Sequence, residues 1–202
     1  MNSPEVFTPP GAHLSFYADF IFPEHAKRLQ ETLRREIAWR QDRIFLFGKS
    51  HLIPRRQAFQ GETGLHYQYS NLQLAAEPWH PDVKSLRDQL VPLCHVPFNS
   101  VLLNQYRTGG DKMGWHSDDE PELGKNPVIA SITLGATRRF VLKHRYDKSQ
   151  PKLTFDLPCG SLLIMAGQTQ HYWQHALPET RRIHEERINL TFRYIIPKDT
   201  SL

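Results

Sequence analysis

Apolar residues recur along the chain with two different periods, and the change falls near its middle. Between Glu24 and Trp39, the residues Ala26, Leu29, Leu33 and Ile37 lie three and four apart with Arg and Glu among them, a pattern that predicts an amphipathic helix with one buried face. A second, shorter helix is predicted after Pro81, with Val83, Leu86 and Leu90 inward. From Phe98 onward the period becomes two, giving strand-like runs at Phe98–Tyr106, Val128–Leu134, Arg139–Lys143, Leu153–Asp156, Ser161–Met165 and Arg187–Ile196. Many short strands preceded by only two helices predict an α+β chain, a double-sheet roll supported on one side by helices. No repeat, low-complexity block or charge run divides it, so residues 1–202 are read as one domain whose β-rich core spans about 98–196.

Composition narrows the class without deciding it. The 202 residues are 39% hydrophobic and 23% charged, and no apolar run approaches the roughly 20 residues of a membrane helix. The first residues, with Pro4, Glu5, Pro9 and Pro10, lack the basic start and apolar segment of a secretory signal, so a cytoplasmic location is expected, or a nuclear one in a eukaryote. Cys94 and Cys159 are too few for a disulfide framework and are expected to be buried and inert. A net charge of +4 permits a polyanionic partner and does not prove one. The default assembly is a monomer.

The chemistry begins at Gly114-Trp115-His116-Ser117-Asp118. His116 and Asp118 are two apart, so on extended backbone both side chains leave the same face and reach one ion. Two imidazoles and one carboxylate suit a redox iron because three coordination positions stay open. The third ligand lies in Gln170-His171-Tyr172-Trp173-Gln174-His175, and spacing alone leaves His171 and His175 both open. Downstream, Arg187, Asn189, Thr191 and Arg193 share one face of an alternating strand, with Ile188, Leu190 and Phe192 on the other. An inward Arg pair is costly unless anions meet it, and guanidinium binds carboxylate through paired hydrogen bonds. On the strand before the His-x-Asp segment, Asn104 and Tyr106 offer an amide and a phenol. Together these groups describe a pocket for an α-keto acid, whose keto-carboxylate end chelates iron while its distal carboxylate is expected to meet Arg193.

At this point the residues resemble a known family, the AlkB-type dealkylating dioxygenases, and within it the branch of the human DNA-repair homologues. The resemblance runs from about Phe45 to Ile195 and is carried by Asn104-Gln105-Tyr106, His116-Ser117-Asp118-Asp119-Glu120, Ala130-Ser131-Ile132-Thr133-Leu134-Gly135, Gly160-Ser161-Leu162-Leu163, His175-Ala176-Leu177-Pro178 and Arg187-Ile188-Asn189-Leu190-Thr191-Phe192-Arg193. It implies a jelly-roll (double-stranded β-helix) core, Fe(II) held by His116, Asp118 and His175, and 2-oxoglutarate held by Asn104, Tyr106, Arg187, Thr191 and Arg193, with Asn189 on the same face. It chooses His175 over His171 because the family's ligand precedes Leu-Pro.

The N-terminal half resembles the same branch in Phe47-Gly48-Lys49-Ser50-His51, Pro54-Arg55-Arg56-Gln57 and Tyr67-Gln68-Tyr69-Ser70. In that branch the region forms a nucleotide-recognition lid. The resemblance implies a wedge at Phe47 beside Gly48, phosphate contacts from Lys49, Arg55 and Arg56, and rings at Tyr67 and Tyr69, next to Ser70, that enclose an extracted base. Asp119 is expected to project away from the metal and meet the exocyclic amine of a cationic base, with Glu120 either adding to that field or forming a solvated turn.

The implied reaction uses O2 and 2-oxoglutarate to hydroxylate an N-methyl carbon on bases such as 1-methyladenine or 3-methylcytosine in DNA, releasing formaldehyde and succinate. The same chemistry on RNA, a non-catalytic module that binds damaged bases, and a zinc hydrolase are the competing readings; the zinc hydrolase leaves the inward arginines without a carboxylate partner.

Overall fold

The computed structural model describes residues 3–46, 48–69 and 72–197. In chain order the elements are β1 (Glu5–Phe7), β2 (His13–Tyr17), α1 (Pro23–Glu36), β3 (Arg43–Leu46), β4 (Lys49–Leu52), β5 (Arg56–Gly61), β6 (His66–Tyr69), β7 (Leu72–Ala75), α2 (Pro81–Cys94), β8 (Ser100–Tyr106), β9 (Met113–His116), β10 (Ile129–Gly135), β11 (Arg138–His144), β12 (Leu153–Leu157), β13 (Leu162–Ala166), α3 (Thr169–Tyr172), β14 (Trp173–Leu177) and β15 (Arg187–Arg193). The two long helices have equal length, so the second is not the shorter one expected. α1 ends at Glu36, ahead of the expected Trp39, and Trp39 instead donates its indole N–H to the Leu33 carbonyl at 3.2 Å.

Two antiparallel sheets form the roll. The larger has the order β1-β2-β13-β10-β15-β8-β5 and the smaller β12-β11-β14-β9. The expected division near residue 97 does not follow the sheet, because β1, β2 and β5 from the N-terminal half extend the larger one at both ends. Their sequences hid this: β1 is three residues long, and β5 is buried over nearly its whole length, which removes the alternation that marks a half-buried strand.

Side-chain alternation on β15 divides the interior. Ile188, Leu190 and Phe192 face Leu29 and Leu33 of α1 and Val83, Leu86 and Leu90 of α2 in the main apolar core. Arg187, Asn189, Thr191 and Arg193 face the other way, into the space between the sheets. A second apolar cluster, including Leu14, Leu142, Phe155, Leu163 and Trp173, borders that space through Met165 and Phe140. Two hairpins, β3–β4 and β6–β7, lie outside both sheets in the region expected to be the lid. Gly48 turns the first of them at φ +73°, the left-handed region that favours glycine.

Both cysteines are half-buried, so the expected full burial does not hold. Burial nevertheless pushes the Cys94 thiol up to about 11, which suppresses its thiolate at neutral pH. Among the described residues, no helix is long and apolar enough to cross a membrane.

Candidate active site

His116 and His175 meet as cross-strand partners on β9 and β14, at the edge of the smaller sheet. Their Nε2 atoms are 3.1 Å apart, and Asp118 Oδ2 lies 3.6 Å from His175 Nε2. One ligand atom from each of the three residues falls within 4.8 Å of the others. Asp118 sits just past the end of β9, in a bend held by two contacts: its backbone N–H donates to Gln170 Oε1 at 2.9 Å, and the Ser117 hydroxyl donates to the Trp173 carbonyl at 2.9 Å. Gln170 is a buried positioning group that the sequence reading missed. His171, the other histidine left open by spacing, lies exposed on α3 with its ring against Tyr172 and Tyr146, outside this cluster.

The protonation states suit a cation. Burial drives His175 down to about 3, with neighbouring His116 acting in the same direction, and burial also lowers His116. Burial alone would raise Asp118, but the Arg193 guanidinium and the two imidazoles outweigh it and hold the carboxyl at about 2. Near neutral pH the cluster is therefore two neutral imidazoles and one carboxylate, the forms a metal requires. With His116 Nδ1 hydrogen-bonded to the Gly114 carbonyl at 2.9 Å, the Nε2 lone pair points at the cluster. Two Nε2 atoms this close share at most one proton, whereas a bound cation satisfies both and the carboxylate. The residues present fit a divalent metal.

Because burial lowers both imidazoles, Mn(II) affinity should begin to fall at a lower pH than the ordinary histidine range. A titration in which affinity falls steadily below about pH 6.5 contradicts this account of the cluster.

The remaining groups line a polar chamber beside the cluster. Asn104 and Tyr106 project from β8, opposite Asn189 and Arg187 of β15 in register. Asn189 donates to Ser131 Oγ at 2.8 Å and to the Ile132 carbonyl at 3.0 Å, and its Oδ1 accepts from the Thr191 hydroxyl at 2.9 Å. Arg193 Nη2 donates to Asp118 Oδ1 at 2.6 Å, an ion pair buried on both sides. Although burial works against its charge, the Asp118 carboxylate raises the Arg193 pKa above the usual range. At the other end of β15, Arg187 Nη2 donates to Thr133 Oγ1 at 2.8 Å, and its Cζ lies 5.4 Å from the centre of the Tyr106 ring. Burial lowers Arg187 to about 10. The buried Nε–H groups of Arg187 and Arg193 have no acceptor among the described residues. Unpaired buried donors on two cations fit a ligand with carboxylates at both ends.

The two arginines stand at opposite ends of the chamber, and the expectation that Arg193 meets the distal carboxylate bears on which end is which. Arg193 is held by Asp118 at the metal end. Arg187, six residues along the strand and beside Tyr106, stands at the far end. Strand alternation shows which side chains share a face and says nothing about which end is nearer the metal.

The expected nucleic-acid contacts divide three ways. Lys49 and Arg56 are exposed, as phosphate contacts require. Arg55 is not: it is 4% exposed and donates through Nε to Asn104 Oδ1 at 2.8 Å, tying the bend before β5 to the chamber. Tyr67 is fully buried, its ring stacked with Phe59 at 5.7 Å and under the Arg193 guanidinium at 5.5 Å, so the open stacking face expected of it is absent here. Phe47 and Ser70 lie outside the described residues, as does the side chain of Tyr69.

Asp119 turns away from the cluster, as expected, and pairs with Arg145 at 2.6 Å on the surface. Glu120 is not a solvated turn; burial and the nearby Asp118 charge raise its carboxyl to about 7, and Arg193 and the Tyr67 hydroxyl lie beside it.

Residues 13–193 match the 2OG-Fe(II) oxygenase superfamily. The chain belongs to that superfamily. Within it, the oxygenase is 39% identical over 186 residues to DNA oxidative demethylase ALKBH2 of Bos taurus, covering 89% of this chain and 65% of that protein. It is 38% identical over 185 residues to the Homo sapiens ALKBH2, covering 89% and 69%, and 35% identical over 194 residues to human alpha-ketoglutarate-dependent dioxygenase alkB homolog 3, covering 92% and 67%. The chain thus spans about two thirds of the length of these relatives. The solved structure of OsALKBH1 shares its fold at a TM-score of 0.64 and 17% identity, over 94% of this chain and 99% of that one.

Proposed function

We propose that this chain is an Fe(II)- and 2-oxoglutarate-dependent dioxygenase that removes alkyl groups from bases of DNA. One observation carries the reading: two neutral imidazoles and a carboxylate converge beside a buried chamber with an arginine at each end. The similarity to proteins named DNA oxidative demethylase supports DNA as the substrate.

His116, Asp118 and His175 would hold the iron, and Asn104, Tyr106, Arg187, Asn189, Thr191 and Arg193 would enclose 2-oxoglutarate. When bound, iron with 2-oxoglutarate and O2 supplies an oxidation that couples decarboxylation of the keto acid to hydroxylation of an N-alkyl carbon. The chain's own groups position, orient and exclude water. Arg193 holds Asp118 in its anionic form and in one orientation, so the ligand is set before metal arrives. At the far end, Arg187 and Tyr106 meet the distal carboxylate of the keto acid with charge-assisted hydrogen bonds. Asn189, fixed by Ser131, Ile132 and Thr191, braces the chamber wall between them. The product hemiaminal would lose formaldehyde without a protein nucleophile.

Substrate approach falls to Asp119 and Glu120 on one side and to the β3–β4 and β6–β7 hairpins on the other. Glu120, its carboxyl raised to about 7, and Asp119, once released from Arg145, would offer negative charge to a base made cationic by methylation. A base that cannot pair costs less to extract from the stack, by a few kcal/mol, which favours lesions over normal bases. Lys49 and Arg56 would add phosphate contacts that are salt-sensitive and indifferent to sequence. We take the chain to act as one catalytic unit and as a monomer, with RNA the alternative polymer.

The test is succinate release from 2-oxoglutarate by the Fe(II)-loaded protein in air, with and without methylated oligonucleotide. Stimulation by methylated DNA above that by unmethylated DNA or methylated RNA supports the reading. Equal stimulation by all three contradicts the assigned substrate.

A further inference from the structure

Arg138 opens β11 and is only 1% exposed, yet no ion pair holds it among the described residues. Its guanidinium instead spans four backbone carbonyls. Nη1 donates to Thr108 at 3.1 Å, and Nη2 lies at 2.8 to 3.3 Å from the carbonyls of Pro178, Asp111 and Gly109. Neutral acceptors satisfy this buried cation, and the Asp111 carboxylate that also acts on its charge is already paired with Arg107 at 2.8 Å.

The four carbonyls belong to two loops that matter to the site. Thr108, Gly109 and Asp111 follow β8, which carries Asn104 and Tyr106; Pro178 follows β14, which carries His175. The same loops are joined by Gly109 N–H to the Ile183 carbonyl at 2.8 Å and Thr180 N–H to the Gly109 carbonyl at 2.9 Å. They pack so closely that a Cβ at Gly109 would strike the Thr180 carbonyl. Arg138 therefore fixes the end of one wall of the chamber relative to the other.

It also stands at the distal end. The Arg138 and Arg187 guanidinium carbons lie 5.9 Å and 5.4 Å from the centre of the same Tyr106 ring. Tyr106 and Arg187 are direct register partners on β8 and β15. A ring contacted by two cations loses freedom to rotate away, and the second charge adds to the field at the chamber end farthest from the metal cluster.

We propose that Arg138 is a positioning residue that selects keto acids with a second carboxylate, by fixing Tyr106 and Arg187 and by adding its charge at the chamber's distal end. It does not touch the ligand. The inference rests on the dioxygenase reading and deepens it, because it assigns co-substrate selectivity to a residue outside the chamber lining.

The test compares binding of 2-oxoglutarate and 2-oxopentanoate, which has the same chain length with a methyl group in place of the distal carboxylate, by calorimetry on Mn(II)-loaded protein. Native protein should prefer 2-oxoglutarate. Arg138→Gln should weaken 2-oxoglutarate by about 10-fold, as Tyr106 and Arg187 lose their fixed positions and the distal end loses a charge, and leave 2-oxopentanoate unchanged. Should the Gln variant fail to fold, Arg138→Lys, which keeps the charge and loses the fork, should show a smaller but still selective loss. Equal weakening of both keto acids would make Arg138 merely structural and overturn the proposal, as would unchanged binding of both. If native protein binds neither keto acid, the dioxygenase reading itself falls, and that result is distinct from the other two.

Discussion

Asp118→Ala is expected to reduce turnover to below about one per cent of native, since even changes to groups that merely orient metal ligands cost about 10- to 100-fold. The substitution also strands Arg193. That guanidinium is buried against Asp118 at 2.6 Å, and breaking such a pair from one side costs about 3–5 kcal/mol. The variant should therefore melt earlier than the native chain, even without metal. Asp118→Asn, which keeps the volume, and His175→Ala, which leaves the ion pair intact, separate the effects: each should lose turnover, with His175→Ala losing less stability than Asp118→Ala. Rates are read by succinate release and stability by thermal melting. Near-native turnover in either Asp118→Ala or His175→Ala contradicts the ligand assignment.

The second large effect concerns the two ends of the chamber. Arg187→Leu should raise the KM for 2-oxoglutarate by about 10- to 100-fold, the equivalent of one or two charge-assisted hydrogen bonds, with a smaller effect on the rate at saturation. Arg193→Leu should behave differently. It frees Asp118 from its partner, so metal affinity and saturating rate should both fall. If the KM effect belongs instead to Arg193 and the metal effect to Arg187, the keto acid lies in the opposite direction and the orientation proposed here is wrong.

Much of this site was legible in the chain because its chemistry is periodic. The face shared by Arg187, Asn189, Thr191 and Arg193 follows from strand alternation alone, and the fold places those four together against Asn104 and Tyr106. His116 and Asp118 likewise converge, although β9 stops at His116 and a bend rather than a strand carries Asp118. The parts that were not legible depend on tertiary closure. Nothing local marks Arg138 as buried, since its acceptors are carbonyls up to 40 residues away. Arg55 reads as one basic residue in a basic loop until β5 pairs with β8 and delivers it to Asn104. β14 escaped notice because three of its five residues, His175, Ala176 and Leu177, are buried in succession, which erases the period-two signal. The neighbours of Tyr67 in sequence point to a lid residue; its burial depends on packing against Phe59 of the preceding strand and Arg193 of the distant β15.

The central claim is tested most directly by mass spectrometry of a DNA oligonucleotide carrying a single 1-methyladenine or 3-methylcytosine, after aerobic incubation with the purified protein and Fe(II), with and without 2-oxoglutarate. The account predicts loss of the methyl group, appearance of formaldehyde, and dependence of both on 2-oxoglutarate. Retention of the methyl group while 2-oxoglutarate is consumed would contradict the claim that this site repairs alkylated DNA bases.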